Sequence, residues 1–227
     1  MTTSLRGRVC GTLLCACLAG SVEAQQLPDV AGIRLGVPGR EGFAVLQAKY
    51  PKVKLDTYPL QLPTIDKPIL IGFSFGFSPV QSTDERIAVH VTPPPEKQAV
   101  GKVQRFVGKQ KIFRANVIAS LREKYGKESA GASNGTLVSN VDKDAAEMWW
   151  IFENEIEDSG WCNTAMIAVV AYIGGDDIVT AFGVQAIDMP LALRAARAEV
   201  AWLKDLASKQ QQQQQQIDES KQAKPKL

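Results

Sequence analysis

The sequence is short of the residues from which most active sites are assembled. It holds one histidine, His90, and four cysteines, three of which (Cys10, Cys15 and Cys17) stand near its start. Zinc-type sites need several convergent nitrogen or sulfur ligands, so a lone histidine far from any cysteine excludes one. Once the leading segment is removed only Cys162 remains, and one cysteine makes no internal disulfide. It sits beside Trp161 without a base to activate it and reads as a small apolar residue. Charge of one sign is also lacking, with 26 Lys and Arg against 24 Asp and Glu. That balance, without a basic stripe interleaved with aromatics, gives no case for nucleic acid. No apolar run reaches the roughly 20 residues of a membrane span, so no transmembrane segment is expected. Asp176 and Asp177 lack the spacing of a calcium loop. No metal and no cofactor is therefore expected.

What is present begins with an export signal. Arg6 and Arg8 precede an apolar run from Val9 to Gly20, and Val22-Glu23-Ala24 closes it with small residues at the flanking positions. Residues 1–24 read as a signal peptide cut before Gln25, which puts the mature chain in the periplasm or outside the cell. A competing reading takes Leu14-Cys15-Ala16-Cys17 as a lipoprotein signal, with a lipid anchor on Cys17.

The mature chain says one thing twice. Phe43-Ala-Val-Leu-Gln-Ala-Lys-Tyr-Pro-Lys52 returns, 75 positions on, as Ile118-Ala-Ser-Leu-Arg-Glu-Lys-Tyr-Gly-Lys127. Each copy reads as the end of an amphipathic helix stopped by Pro51 or Gly126. Phe73, Phe75 and Phe77 then alternate, and Met148, Trp150 and Phe152 take the same places after the second helix. Ile87-Ala88-Val89 is echoed by Ile167-Ala168-Val169. The expected fold is α+β: two tandem helix-plus-antiparallel-sheet units with a long C-terminal helix. The units form one continuous or two abutting sheets, with helices on one face. The boundaries are 25–110 for the first unit, 111–209 for the second with its helix, and 210–227 for a glutamine-rich disordered tail. Gly32-Ile-Arg-Leu-Gly-Val37 followed by the short helix resembles secreted bacterial modules: the outer-membrane-assembly lipoprotein of the SmpA/OmlA type and the β-lactamase-inhibitor-protein fold. The likeness covers about 20 residues of each half, and lies in the fold of such helix-plus-sheet units. This chain lacks the disulfides of the inhibitor fold, and its expected strands are longer than the lipoprotein's.

In chain order, strands are predicted over 29–37, 53–58, 69–77, 85–92 and 99–107, the last closing the first sheet. A helix over 112–125 opens the second unit and a loop fills 126–140, with a turn at Asn134-Gly135. Strands follow over 148–153, 166–173 and 178–187, the last pair joined by the Gly174-Gly175-Asp176-Asp177 turn. Asp188 and Pro190 begin a helix whose apolar stripe is Leu193, Ala196, Val200, Leu203 and Ala207.

Two constellations invite a chemical reading. Gly72-Phe73-Ser74-Phe75-Gly76 matches the G-x-S-x-G pattern of hydrolase nucleophile elbows. That elbow needs a strand, a sharp turn and a helix, whereas here the alternation runs through the serine towards another strand. Glu153, Glu155, Glu157 and Asp158 read as a solvated loop. The leading functional expectation is a non-enzymatic binding or protein-interaction module with an envelope protein as partner and no catalytic residue. Trp149, opposite in phase to Trp150, and Trp161 are its candidate binding residues. An exported serine hydrolase using Ser74 is the alternative.

Overall fold

A computed structural model of the chain describes residues 27–61, 67–76, 84–134, 136–155 and 165–222. The expected signal segment, Phe77, Trp161, Cys162 and Gly135 lie outside the described residues.

A tight hairpin of β1 (Asp29–Val30) and β2 (Ile33–Arg34) comes first. Its turn places Ala31 and Gly32 at positive φ, and the Asp29 carboxylate accepts the Gly32 N–H at 3.0 Å. Ile33 and Leu35 are buried on one side, as their spacing predicts. Helix α1 (Gly39–Lys49) follows, then strands β3 (Asp56–Leu60), β4 (Ile69–Phe75), β5 (Glu85–Val91) and β6 (Val100–Val107). The second unit has a short strand β7 (Ile112–Phe113), helix α2 (Arg114–Tyr125), the hairpin β8 (Ala130–Ser133) and β9 (Thr136–Leu137), and one turn of helix, α3 (Val141–Asp144). It continues with β10 (Glu147–Glu155), β11 (Ala165–Gly174), β12 (Ile178–Val179) and β13 (Ala181–Asp188), and ends in α4 (Met189–Gln222).

One antiparallel sheet of nine strands carries the molecule, in the order β3-β4-β5-β6-β13-β11-β10-β8-β9. The two units therefore share a single continuous sheet. Strand β6 does not close the first sheet, as local sequence predicts; it pairs with β13, Gln104 opposite Gln185, and so becomes the seam. Within 126–140, expected to be a loop, β8 and β9 pair as a short hairpin, with Asn134 at φ 50° where the turn is predicted. The expected strand over 178–187 breaks at Thr180, because β12 leaves the main sheet to pair with β7. Glu153 and Glu155 belong to β10 rather than to a loop.

Register makes the likeness of the units concrete. Counting outward from the seam, Ala88 opposes Gln104 as Val170 opposes Gln185, and Ser74 opposes Ala88 as Trp149 opposes Val170. Phe73 thus corresponds to Met148 and Phe75 to Trp150, at the same spacing of 75 that separates the helices. Tyr50 stacks on Phe75 with centroids 4.3 Å apart, and Tyr125 tilts onto Trp150 at 5.6 Å. Leu46 is 0 % exposed and Leu121 7 %, both within one core cluster. The echo of Ile87-Ala88-Val89 is shifted by two: its counterpart is Val169-Val170-Ala171. A shift of two keeps every side chain on its face, which is why the pattern alone cannot detect it.

Helix α4 departs from the expectation of helices on one face. Asp188 caps it, accepting the Leu191 N–H at 2.8 Å, and turns it onto the face opposite α1 and α2. There it packs over β11 and β6. Two helices already occupy the other face, while Ala168, Val170 and Ile187 offer α4 an apolar row. Among the residues it buries are Pro190, Leu191 and Ala195, and Trp202 and Leu206 are among those half-buried. Most of the predicted stripe is turned away: Leu193 is half-buried, while Ala196, Val200, Leu203 and Ala207 are exposed. The chain stays helical through its glutamines to Gln222, past the expected end of order at 209, and every residue from Ala207 to Lys221 is exposed.

Candidate functional site

The face that α4 only partly covers carries exposed aromatic rings beside polar side chains. Strand alternation sends Phe73, Val89, Val103, Val169 and Trp150 under α1 and α2, and the residues between them to the other side. Across the seam the open face carries Gln104 beside Gln185, whose amides are hydrogen-bonded at 2.7 Å. Phe106 and Gly183 form the next pair along, with Tyr172 opposite Gly183 and Arg86 opposite Phe106. The Arg86 guanidinium lies 5.7 Å from the Phe106 ring centre. Phe106, Tyr172 and Ile151 are exposed. A shallow recess of about 300 Å³ runs between Arg86, Gln104, Phe106, Tyr172 and Gln185. The glycine at 183 matters here, because a side chain in its place would fill the floor between Phe106 and Tyr172.

Trp149 stands on this same face, half-buried and opposite Val170, where a partner could reach the rest of its ring. Trp150 fills the core and donates its indole N–H to the Gly126 carbonyl at 2.9 Å. The structure thus separates the pair as alternation predicts.

Ser74 is the next-to-last residue of β4, fully buried, and its hydroxyl accepts a hydrogen bond from Tyr58 at 2.6 Å. The Tyr58 ring also covers Gly72, where an added Cβ would lie 3.0 Å from it. Ser74 is paired within the sheet, opposite Ala88, and residues 77–83, where the turn and helix of a nucleophile elbow would follow, lie outside the described residues. His90 lies largely exposed on the same face, opposite Gly72 rather than Ser74. Partial burial and repulsion from Lys102 lower its pKa, against a hydrogen bond to the Gln104 side chain that raises it. A second recess of about 300 Å³ separates His90 and Lys102 from Ala195, Ala196 and Glu199 of α4.

On the helix-covered side, a cleft of about 270 Å³ lies between the β1–β2 hairpin, α2 and the seam. Its two cations already have partners: Arg105 binds Glu85 at 2.7 Å and Lys124 binds Asp29 at 2.9 Å. Tyr125 also donates to the Asp29 carbonyl at 2.9 Å, so the hairpin is tied to α2. The bonds of Lys124 and Tyr125 to Asp29 join the two units, and with Arg105 paired inside the first unit the cleft is left without an unpaired charge of its own. Among the described residues no three His, Cys, Asp or Glu side chains gather as metal ligands.

Phe106, Tyr172 and the two glutamines carry no sequence motif. Their signal is alternation on strands that sequence reading does locate, but the pairing that assembles them joins residues 81 apart. Comparison with protein-family models, curated proteins and solved structures finds no match to this chain. Among the described residues no helix is long and apolar enough to cross a membrane.

Proposed function

We propose that this protein is an exported, non-enzymatic interaction module that receives an envelope protein on the open face of its sheet. One observation carries the reading: Phe106, Tyr172 and Ile151 stand exposed, with half-buried Trp149, on the face that bears a hydrogen-bonded glutamine pair. Aromatic rings supply contact area at low conformational cost, and amides supply direction, which is the composition of protein-binding surfaces. The signal-like residues 1–24 support export, and the resemblance to secreted helix-plus-sheet modules agrees with it. The Ser74 hydrolase reading has no comparable support, since a buried serine bonded to Tyr58 has neither access nor a base.

The test is affinity capture from envelope extracts with the wild-type protein and a Phe106→Ala/Tyr172→Ala variant. A protein held by the first and lost from the second supports the proposal. Equal retention by both, or none by either, sinks it. A serine-reactive fluorophosphonate should leave Ser74 unlabelled; labelling there would restore the hydrolase.

A further inference from the structure

We infer that α4 is a dimerisation helix whose partner is α4 of a second copy, paired parallel and in register. One exposed row along it runs through Val200, Leu203, Ala207, Gln210, Gln214, Ile217 and Lys221, alternately three and four apart over three heptads. That spacing is the seam of a two-stranded coiled coil, narrower than the stripe a helix lays on a sheet. Its apolar members stand open, with Val200 53 %, Leu203 38 % and Ile217 46 % exposed.

The occupant follows from chemistry. In-register parallel pairing puts Val200 on Val200, Leu203 on Leu203 and Ile217 on Ile217. It also faces Gln210 with Gln210 and Gln214 with Gln214, and each amide has a donor and an acceptor for its twin. An antiparallel pair that set Val200 against Ile217 would put Leu203 against the Gln214 amide, which already donates to Asp218 at 3.0 Å, and so forfeit the leucine's apolar contact. Flanking charges agree, because Glu199 of one helix then lies beside Lys204 of the other, the diagonal pair that fixes orientation. Stability points the same way. From Ala207 to Lys221 no residue of α4 is buried against the rest of the chain, so this half of the helix has none of the tertiary packing from which most helical stability comes. A twin helix supplies the missing packing, and the dimer carries both open sheet faces at one end of a rod.

The test is the mass of the purified protein by light scattering, alone and as Val200→Glu/Leu203→Glu or Ile217→Glu, each at an exposed position so that folding is retained. Twice the chain mass is expected for the wild type and once for both variants, with unchanged far-UV dichroism. A second measurement fixes orientation: Leu203→Cys in a Cys162→Ala background should oxidise to a disulfide-linked dimer. A wild-type monomer, a dimer that survives both variants, or a dimer that fails to cross-link at residue 203 overturns the inference. Because neither Phe106 nor Tyr172 is touched, this outcome is independent of the partner-capture experiment.

Discussion

The two units place a helix at the same height over the same sheet and divide the bulk between them in opposite ways. In the first, α1 meets the sheet through Gly39, Gly42 and Leu46. A Cβ at Gly42 would lie 3.2 Å from Ile33 and Val100 and 3.4 Å from Phe73, so the space belongs to the strands and hairpin. In the second, the corresponding residues are Arg114, Val117 and Leu121, all buried, over Met148 and Trp150. Both helices lack a side-chain cap and instead donate their first N–H to a loop carbonyl, Gly39 to Gln98 at 2.7 Å and Arg114 to Asp177 at 2.8 Å. Arg114 does more than Gly39 can. Its guanidinium donates to the carbonyls of Asp142, Ala145 and Gly175, pinning α3 and the β11–β12 connection. The lesson is that equivalent positions conserve volume across the interface, while the choice of which side supplies it is free.

The largest test of that equivalence is truncation of the stacked aromatics. Phe75→Ala and Trp150→Ala should each destabilise by about 3–5 kcal/mol in denaturant unfolding, the range for large core aromatics. A loss near zero in one of them would break the comparison. Leu46→Ala and Leu121→Ala come next, at about 2–5 kcal/mol each, with Leu46 at the upper end because it is wholly enclosed. Grafting one unit's solution onto the other sharpens the point. Gly42→Val, which installs the counterpart of Val117, should cost about 1–3 kcal/mol by overpacking, although valine is the better residue at the second site. A neutral result would mean that α1 has room it does not show.

Acid should then distinguish how each unit holds its carboxylate. Glu128 lies under the Arg122 fork, with bonds of 2.8 and 2.5 Å, and this pairing outweighs burial to keep its pKa below the ordinary glutamate value. Glu85 is lowered too: burial opposes the shift, but the Tyr50 hydroxyl and Arg105 outweigh it. A depressed carboxylate contributes stability that is present above its unfolded pKa and is lost as pH falls through the folded one. Glu128→Gln and Glu85→Gln should therefore be less stable than wild type at neutral pH and converge with it at acid pH. A difference that widens below the ordinary glutamate range would reverse the sign and refute the pairing. The smallest effects belong to the lysines over the tyrosines, Lys49 at 5.6 Å and Lys124 at 5.3 Å from the ring centres. Lys49→Ala should change stability by no more than about 0.5 kcal/mol. Lys124→Ala should stay within about 1 kcal/mol, since its ion pair with Asp29 is exposed and screened by salt.

Much of the fold was readable where contacts are local. Leu46 and Leu121 as buried helix positions, Ile33 with Leu35, and the inward row Ile87, Val89 and Val91 follow from spacing alone, because helix and strand periods are properties of the backbone. Of the site, Trp149 was legible by its phase against Trp150, and the weakness of Ser74 by its straight strand. Phe106, Tyr172 and the glutamine pair were not, since nothing in a strand names its neighbour across 81 residues.

Helix α4 shows the division most sharply. Composition and period determine that residues 189–209 are helical and that apolar residues recur on two overlapping stripes, one through Leu193, Val200 and Leu203, the other through Leu191, Ala195 and Trp202. Only the tertiary structure decides between them. The Asp188 cap fixes the helix's rotation as it leaves β13, and the row Ala168, Val170 and Ile187 takes whichever stripe then faces it. The sequence likewise determined two helix-plus-sheet units by their local periods. That β6 pairs with β13, so that the units share one sheet and one open face, was decided by a long-range pairing whose loop-closure entropy only the completed core can offset.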